Sequence, residues 1–119
     1  MNVMRVPKPW GEELLFARTE RYAGKILRIR AGESLSLQYH ERKDETIYLF
    51  RGALRLRLPT EAEPGAEQRL AEGESVHLPP GTRHRLEALT DCVVFEVSTP
   101  ELDDVVRLED RYGRAPSRA

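Results

Sequence analysis

Short apolar segments, cut at regular intervals by turn residues, constrain this chain more than any other feature. The segments are Leu14–Ala17, Tyr22–Arg30, Ser34–Tyr39, Thr46–Phe50, Ala53–Leu58, Gln68–Ala71, Ser75–Leu78, His84–Leu89 and Cys92–Val97. Between them stand Ala31-Gly32, Arg51-Gly52, Pro64-Gly65, Glu72-Gly73, Pro79-Pro80-Gly81 and Thr90-Asp91, all turn-forming. Short strands spaced about 8–12 residues apart build a sandwich or a barrel, so the fold class is all-β.

The chain of 119 residues is one domain. At that length roughly two-thirds of the unfolded surface can be buried, enough for one core. A third of the residues are charged, yet the formal net charge is −1. That balance argues against nucleic acid or a membrane surface as partner. The single cysteine, Cys92, permits no intrachain disulfide and sits in the apolar run Cys92-Val93-Val94-Phe95, where it reads as a buried, inert thiol. No apolar stretch approaches the ~20 residues of a membrane span, and the first residues lack a signal-peptide core. The expectation is a soluble, cytoplasmic protein.

Both ends have their own character. Residues 1–12, with Pro7 and Pro9, read as an extended arm. Residues 101–119 read as a tail with a short strand or turn before it frays at Pro116–Ala119. Pro59–Glu67 reads as a mobile hairpin loop.

One constellation stands out. Gln38 and His40 are two apart, so on a strand both point to one face. Glu45 follows across a polar turn at the head of the next strand, and His84 arrives behind Pro79-Pro80-Gly81. Two imidazoles, a carboxylate and an amide oxygen form a mixed N/O set suited to Zn, Fe, Mn, Co or Ni. Parity puts Ser34, Ser36, Gln38 and His40 on an inward polar face and Leu35, Leu37 and Tyr39 on an outward apolar one. Glu45, Ile47 and Leu49 share a face, so the floor beneath the metal should be apolar. A bulge would break these assignments.

The spacing resembles that of the cupins. Gly32, Gln38, His40, Glu45 and Gly52 match the pattern Gly-x5-His-x-His-x3–4-Glu-x6-Gly, with Gln in place of the first His. Gly73, Pro79, Gly81 and His84 match Gly-x5-Pro-x-Gly-x2-His-x3-Asn, with Ala88 in place of Asn. The resemblance implies a single cupin β-barrel, a double-stranded β-helix of the jelly-roll type, with the metal near one mouth. A narrower resemblance runs through Lys8-Pro9-Trp10-Gly11, Leu35-Ser36-Leu37-Gln38, His84-Arg85-Leu86, Glu96-Val97 and Asp104 to Arg114. These residues are similar to the C-terminal domain of type II mannose-6-phosphate isomerases. In that family the domain often follows a sugar-nucleotidyltransferase domain; this sequence has no Gly-rich nucleotide loop, so guanylyltransferase activity is not carried over.

The narrower resemblance implies metal ligands Gln38, His40, Glu45 and His84, with zinc first and Mn, Fe, Co or Ni as alternatives. It implies a sugar-phosphate substrate and aldose–ketose isomerisation, in which a base moves a proton between adjacent carbons and the enediolate is stabilised electrostatically. Lys25, on a strand, is expected to hold a phosphate or enediolate oxygen, and Glu96, on the last strand, is a candidate base. Arg42, Lys43 and Arg83 are expected near the pocket mouth. Trp10 is expected to pack the arm against the barrel. A homodimer is expected, with the Leu35/Leu37/Tyr39 face as its contact. Two alternatives stay open: a carbohydrate or small-molecule binder without catalysis, and an iron-dependent dioxygenase.

Overall fold

The computed structural model describes residues 2–115. The described residues hold eleven strands and no helix. The strands are β1 (Met4–Lys8), β2 (Gly11–Arg18), β3 (Ala23–Ile29), β4 (Leu37–Tyr39), β5 (Glu45–Arg51), β6 (Leu54–Arg57), β7 (Glu67–Leu70), β8 (Ser75–Leu78), β9 (Arg85–Ala88), β10 (Cys92–Ser98) and β11 (Val106–Glu109). One sheet runs β1-β2-β3-β10-β5-β8 and is antiparallel throughout. Facing it are the ladders β11-β4 and β7-β6-β9. Two bridges, Ser34 with Glu87 and Gln38 with His84, stitch these ladders together. The result is an all-β jelly roll of two apposed sheets.

Alternation decides which side chains form the core. Leu27, Ile29, Ile47, Leu49 and Val94 project inward from the first sheet, and Leu54, Leu56, Leu70, Leu86 and Ala88 from the second. Trp10 is 2% exposed and belongs to the same cluster, so the N-terminal segment does pack against the body. The segment expected as an arm is more ordered than that: β1 pairs with β2 from Met4–Leu15 to Lys8–Gly11. Pro7 is tolerated because β1 is an edge strand, where a missing N–H costs no ladder bond. Pro116–Ala119, expected to fray, lies outside the described residues.

Parity on the ligand strand holds only in part. Ser34 stands opposite Glu87, but Gln38 stands opposite His84, so four steps on one strand face three on the other. The extra residue is a bulge, which flips every side chain upstream of it. Ser36, Gln38 and His40 do face inward. Leu35, expected outward, instead packs on the core, and Ser34, bridged to Glu87, is buried. Tyr39 pairs with Val106 of β11, so the tail covers this edge. The Leu35/Leu37/Tyr39 face is therefore not a free apolar surface. Apolar exposure lies elsewhere, on the outer face of the large sheet, at Phe16, Tyr48, Phe50 and Val97. There Phe95 stacks on Phe50 at 5.0 Å and on Tyr48 at 6.1 Å between ring centroids.

Two motif glycines are steric requirements. Gly52 has φ +101°, and a Cβ there would sit 2.4 Å from the Asp91 carbonyl oxygen. Gly81, φ +84°, closes the diproline turn and donates its N–H to the His40 carbonyl at 2.7 Å. No helix among the described residues is long and apolar enough to cross a membrane. Leu49 is fully buried between the sheets. Leu49→Ala is expected to lower the unfolding free energy by about 2–5 kcal/mol, read from urea denaturation midpoints with an unchanged slope.

Candidate metal centre and cavity

Three elements converge at one end of the sandwich. His40 ends the ligand strand, Glu45 begins β5 and His84 immediately precedes β9. One candidate ligand atom from each lies within 4.8 Å of the others, and all three residues are buried. Gln38 is placed by the backbone. It exchanges both hydrogen bonds with His84, at 3.0 and 2.9 Å, so the two side chains rise from the same face of the sheet about 5.5 Å apart at Cα. The Ser36 hydroxyl donates to the Gln38 amide oxygen at 2.7 Å and orients it. The structure thus groups His40, Glu45 and His84, with Gln38 opposite His84 across the backbone bridge.

The imidazoles are set up as donors of electron pairs. His40 Nδ1 donates to the Asp104 carbonyl at 2.5 Å, and His84 Nδ1 donates to the Thr82 carbonyl at 2.9 Å. Each bond fixes the proton on Nδ1 and leaves Nε2 bare. Both Nε2 atoms and Glu45 Oε2 are buried without a hydrogen-bond partner. A buried unsatisfied polar atom costs about 1–3 kcal/mol, and two such imidazole nitrogens beside a carboxylate fit a divalent cation. Burial pushes the His84 imidazole down to about 4, against the opposing pull of its bond to Thr82, so it is neutral near pH 7. A neutral ring is the form that can ligate.

Lys43 adds a positive charge beside this set. Its Nζ lies 3.0 Å from Glu45 Oε2 and 3.0 Å from Glu96 Oε2. Glu45 Oε2 is therefore ion-paired with Lys43 in this structure. Burial pulls the Lys43 ammonium down, but Glu96 and Glu45 outweigh it and hold it well above its ordinary value. Expected at the pocket mouth, Lys43 is in fact buried within the site.

Next to the three-residue cluster opens a cavity of about 430 Å³. Lys25 and Glu96 are cross-strand partners on β3 and β10 and both line it. Lys25 Nζ donates to Glu13 at 3.1 Å. Leu27, Leu35 and Trp10 supply an apolar wall. Ile47 and Leu49, expected as an apolar floor, lie in the core at 1% and 0% exposure and do not line this cavity. Arg42 and Arg83 do not line this cavity. Arg42 is exposed in the turn, and Arg83 borders a separate surface depression with Leu37, Leu108 and Glu109. Cys92 is buried, and burial raises its thiol pKa, as expected of an inert cysteine.

Asp104 is the residue that sequence reasoning missed. Its carboxylate accepts from the backbone N–H groups of Glu41, Arg42 and Lys43 at 3.1, 2.7 and 2.8 Å, while its carbonyl takes the His40 proton. The Arg42 bond, with those of its neighbours, holds the Asp104 carboxyl below the usual range. One tail residue thus fixes both the ligand turn and a ligand tautomer. Its sequence signal was membership of the Asp104 to Arg114 stretch that carries the family resemblance, sixty-four residues from His40, with nothing local to mark its role.

Two apposed antiparallel sheets with this cluster at one end define a cupin. Solved structures agree. KdgF from Halomonas sp. superposes with a TM-score of 0.73 at 25% identity, covering 87% of this chain and 91% of that one. An oxalate decarboxylase gives 0.80 at 18% identity over 97% of this chain and 32% of its own, and an RmlC-like cupin from Shewanella frigidimarina gives 0.72 at 14% over 85% and 86%. More narrowly, the sequence model of the family described as mannose-6-phosphate isomerase C-terminal matches residues 2–110, and the chain belongs to that family. Mannose-1-phosphate guanylyltransferase ManC of Salmonella typhimurium is 37% identical over 114 residues, and the corresponding Escherichia coli K12 enzyme 34%. Xanthan biosynthesis protein XanB of Xanthomonas campestris is 31% identical over 116 residues. The alignments cover 92% of this chain but only 23–24% of those relatives.

The lowered pKa of His84 sets a direction for stability in chelator-treated protein. Below pH ~6.5 the unfolded chain takes up a proton at His84, whereas the folded chain refuses it until about 4. The contribution of neutral His84 is therefore present above the unfolded value and is lost as pH falls through the folded one. Denaturant titrations from pH 7 to 4 should show the stability of wild type falling relative to His84→Gln. A pH-independent difference would mean that His84 carries no burial penalty.

Proposed function

We propose that this protein is a metal-dependent sugar-phosphate isomerase of the mannose-6-phosphate/fructose-6-phosphate type. The observation that carries the reading is the buried cluster of His40, His84 and Glu45, both imidazole Nε2 atoms without a hydrogen-bond partner, set against a polar cavity in a chain of this family. Gln38, His40, Glu45 and His84 would hold the ion, and zinc suits the mixed imidazole–carboxylate set. Bound there, a divalent ion would supply Lewis acidity towards substrate oxygens.

The remaining steps belong to the protein's own side chains. Glu96 holds and moves the proton at its carboxylate, since one of its oxygens is anchored by Lys43 at 3.0 Å. Lys25 keeps two further N–H donors beyond its bond to Glu13, enough to hold a substrate oxygen. Trp10, Leu27 and Leu35 keep water from that wall. The reading places the protein in the cytoplasm, where such phosphorylated sugars occur.

One observation favours a second reading, a carbohydrate-binding cupin without catalysis. Lys43 is ion-paired with both Glu45 and Glu96 at 3.0 Å, so the candidate base is already engaged by a buried cation. Isotope exchange separates the two. Wild type incubated with mannose 6-phosphate in deuterated water should incorporate deuterium at C2 and form fructose 6-phosphate; no exchange in metal-loaded protein would sink the isomerase reading. His40→Ala and His84→Ala should each lose stoichiometric metal by elemental analysis while keeping a cooperative unfolding transition. Iron with oxygen consumption in wild type would instead select the dioxygenase alternative.

We also place the homodimer contact on the Tyr48/Phe50/Phe95 face rather than on the ligand strand. A second copy covering that stack would remove exposed aromatic surface from water. Phe50→Glu should shift the sedimentation coefficient from dimer to monomer; a wild type that sediments as a monomer would refute this contact.

A further inference from the structure

The cavity is lined by more positive charge than the isomerase reading uses. Six cationic side chains face it: Lys8, Arg18, Lys25, Lys43, Arg107 and Arg114. Three are matched by carboxylates. Lys25 is bonded to Glu13, Lys43 to Glu96, and Arg114 to both oxygens of Asp110 at 2.9 and 3.0 Å. Among the described residues, Lys8, Arg18 and Arg107 have no carboxylate within ion-pair distance. The one unmatched acid on the lining, Asp103, is exposed.

Arg107 is the best placed of the three. It stands opposite Gln38 in the β11–β4 ladder, and Gln38 stands opposite His84. Directly opposed residues share a face, so Arg107, Gln38 and His84 form one inward row across three adjacent strands. The guanidinium side chain thus rises next to the candidate metal ligands, on the cavity side. Its Nε is buried and has no hydrogen-bond partner. The nearby acid, Asp110, feels the charge of Arg107, but both of its oxygens are already taken by Arg114. A buried guanidinium N–H left unpaired is costly unless an acceptor arrives. Arg18 lies on the facing sheet in the row Arg18–Ala23–Ser98–Glu45, at the same level as the metal candidates.

We propose that Arg107, assisted by Arg18 across the cavity, is an anion subsite that takes the phosphoryl group of the substrate. A planar guanidinium offers two parallel N–H donors to a phosphate, which a lysine cannot do. The subsite makes Arg107 specificity-determining: it selects a phosphorylated sugar over the free sugar and fixes which end of the molecule lies at Gln38 and His84. This assignment rests on the sugar-phosphate reading for the identity of the ligand, but the anion site itself can be measured without turnover.

The test uses metal-loaded protein and two probes, inorganic phosphate and mannose 6-phosphate, titrated by calorimetry, with free mannose as the unphosphorylated control. Arg107→Met, which keeps most of the aliphatic stem, should weaken both phosphate-bearing probes at least tenfold and leave bound metal and any weak mannose binding unchanged. Arg18→Met should weaken them less, and Arg69→Ala, on exposed β7, should change nothing. Wild-type affinity for both probes in Arg107→Met overturns the proposal. If that variant does not fold, Arg107→Lys and Arg18→Met decide: a severalfold loss in either supports the subsite, and wild-type affinity in both overturns it. Phosphate binding that depends on Arg107 in a protein that exchanges no C2 proton would keep the subsite and remove the isomerase.

Discussion

The site depends on one reciprocal pair of backbone hydrogen bonds, between Gln38 and His84. These two bonds join the ligand strand to β9 and so close the gap between the β11-β4 and β7-β6-β9 ladders. They also set the register that puts an amide and an imidazole side by side. Shift that register by one residue and Gln38 would face outward with Leu37. The upstream bulge is the consequence. It lets Leu35 enter the core while Ser36, Gln38 and His40 keep their inward direction, so packing and ligand placement are both satisfied on one short strand.

Around that pair the protein builds a stiff outer layer from its own tail. Asp104 ties down the turn between His40 and Glu45 through three N–H groups and orients His40 through its carbonyl. Further along, Arg111 donates to the Gly32 carbonyl at 2.6 Å, and the Tyr112 hydroxyl bonds Glu33. The C-terminal segment therefore braces the ligand strand at both ends. Residues that hold ligands in orientation matter to a metal site nearly as much as the ligands themselves.

The electrostatics are arranged as alternating buried charges. Glu13–Lys25 and Glu96–Lys43–Glu45 run across the cavity wall towards the two histidines. Each buried charge is offset by a neighbour, as burial demands. Lys43 is the pivotal member. It stabilises Glu45 and Glu96 while no cation is bound, and it competes with a cation for Glu45. Whether the centre performs chemistry or only binding turns on how that competition resolves.

Sequence alone determined the strand series, because Gly and Pro punctuation and two-residue alternation are local properties. It also determined the four candidate ligands, because same-face spacing on a strand and turn chemistry before His84 are written in consecutive residues. Lys25 and Glu96 were nominated by family resemblance and by their places on strands. Tertiary structure decided the rest. The bulge arises from pairing between residues far apart in the chain, Ser34 with Glu87 and Gln38 with His84, so no local pattern announced that Leu35 turns inward. The burial of Lys43 needed Glu96 from the far end of the chain. Asp104 and Arg107 lay in a stretch that carried the family resemblance, but their roles emerged only when β11 paired with β4 and carried them to the site. Local chemistry can nominate the groups that bind; only long-range strand pairing decides which charges surround them.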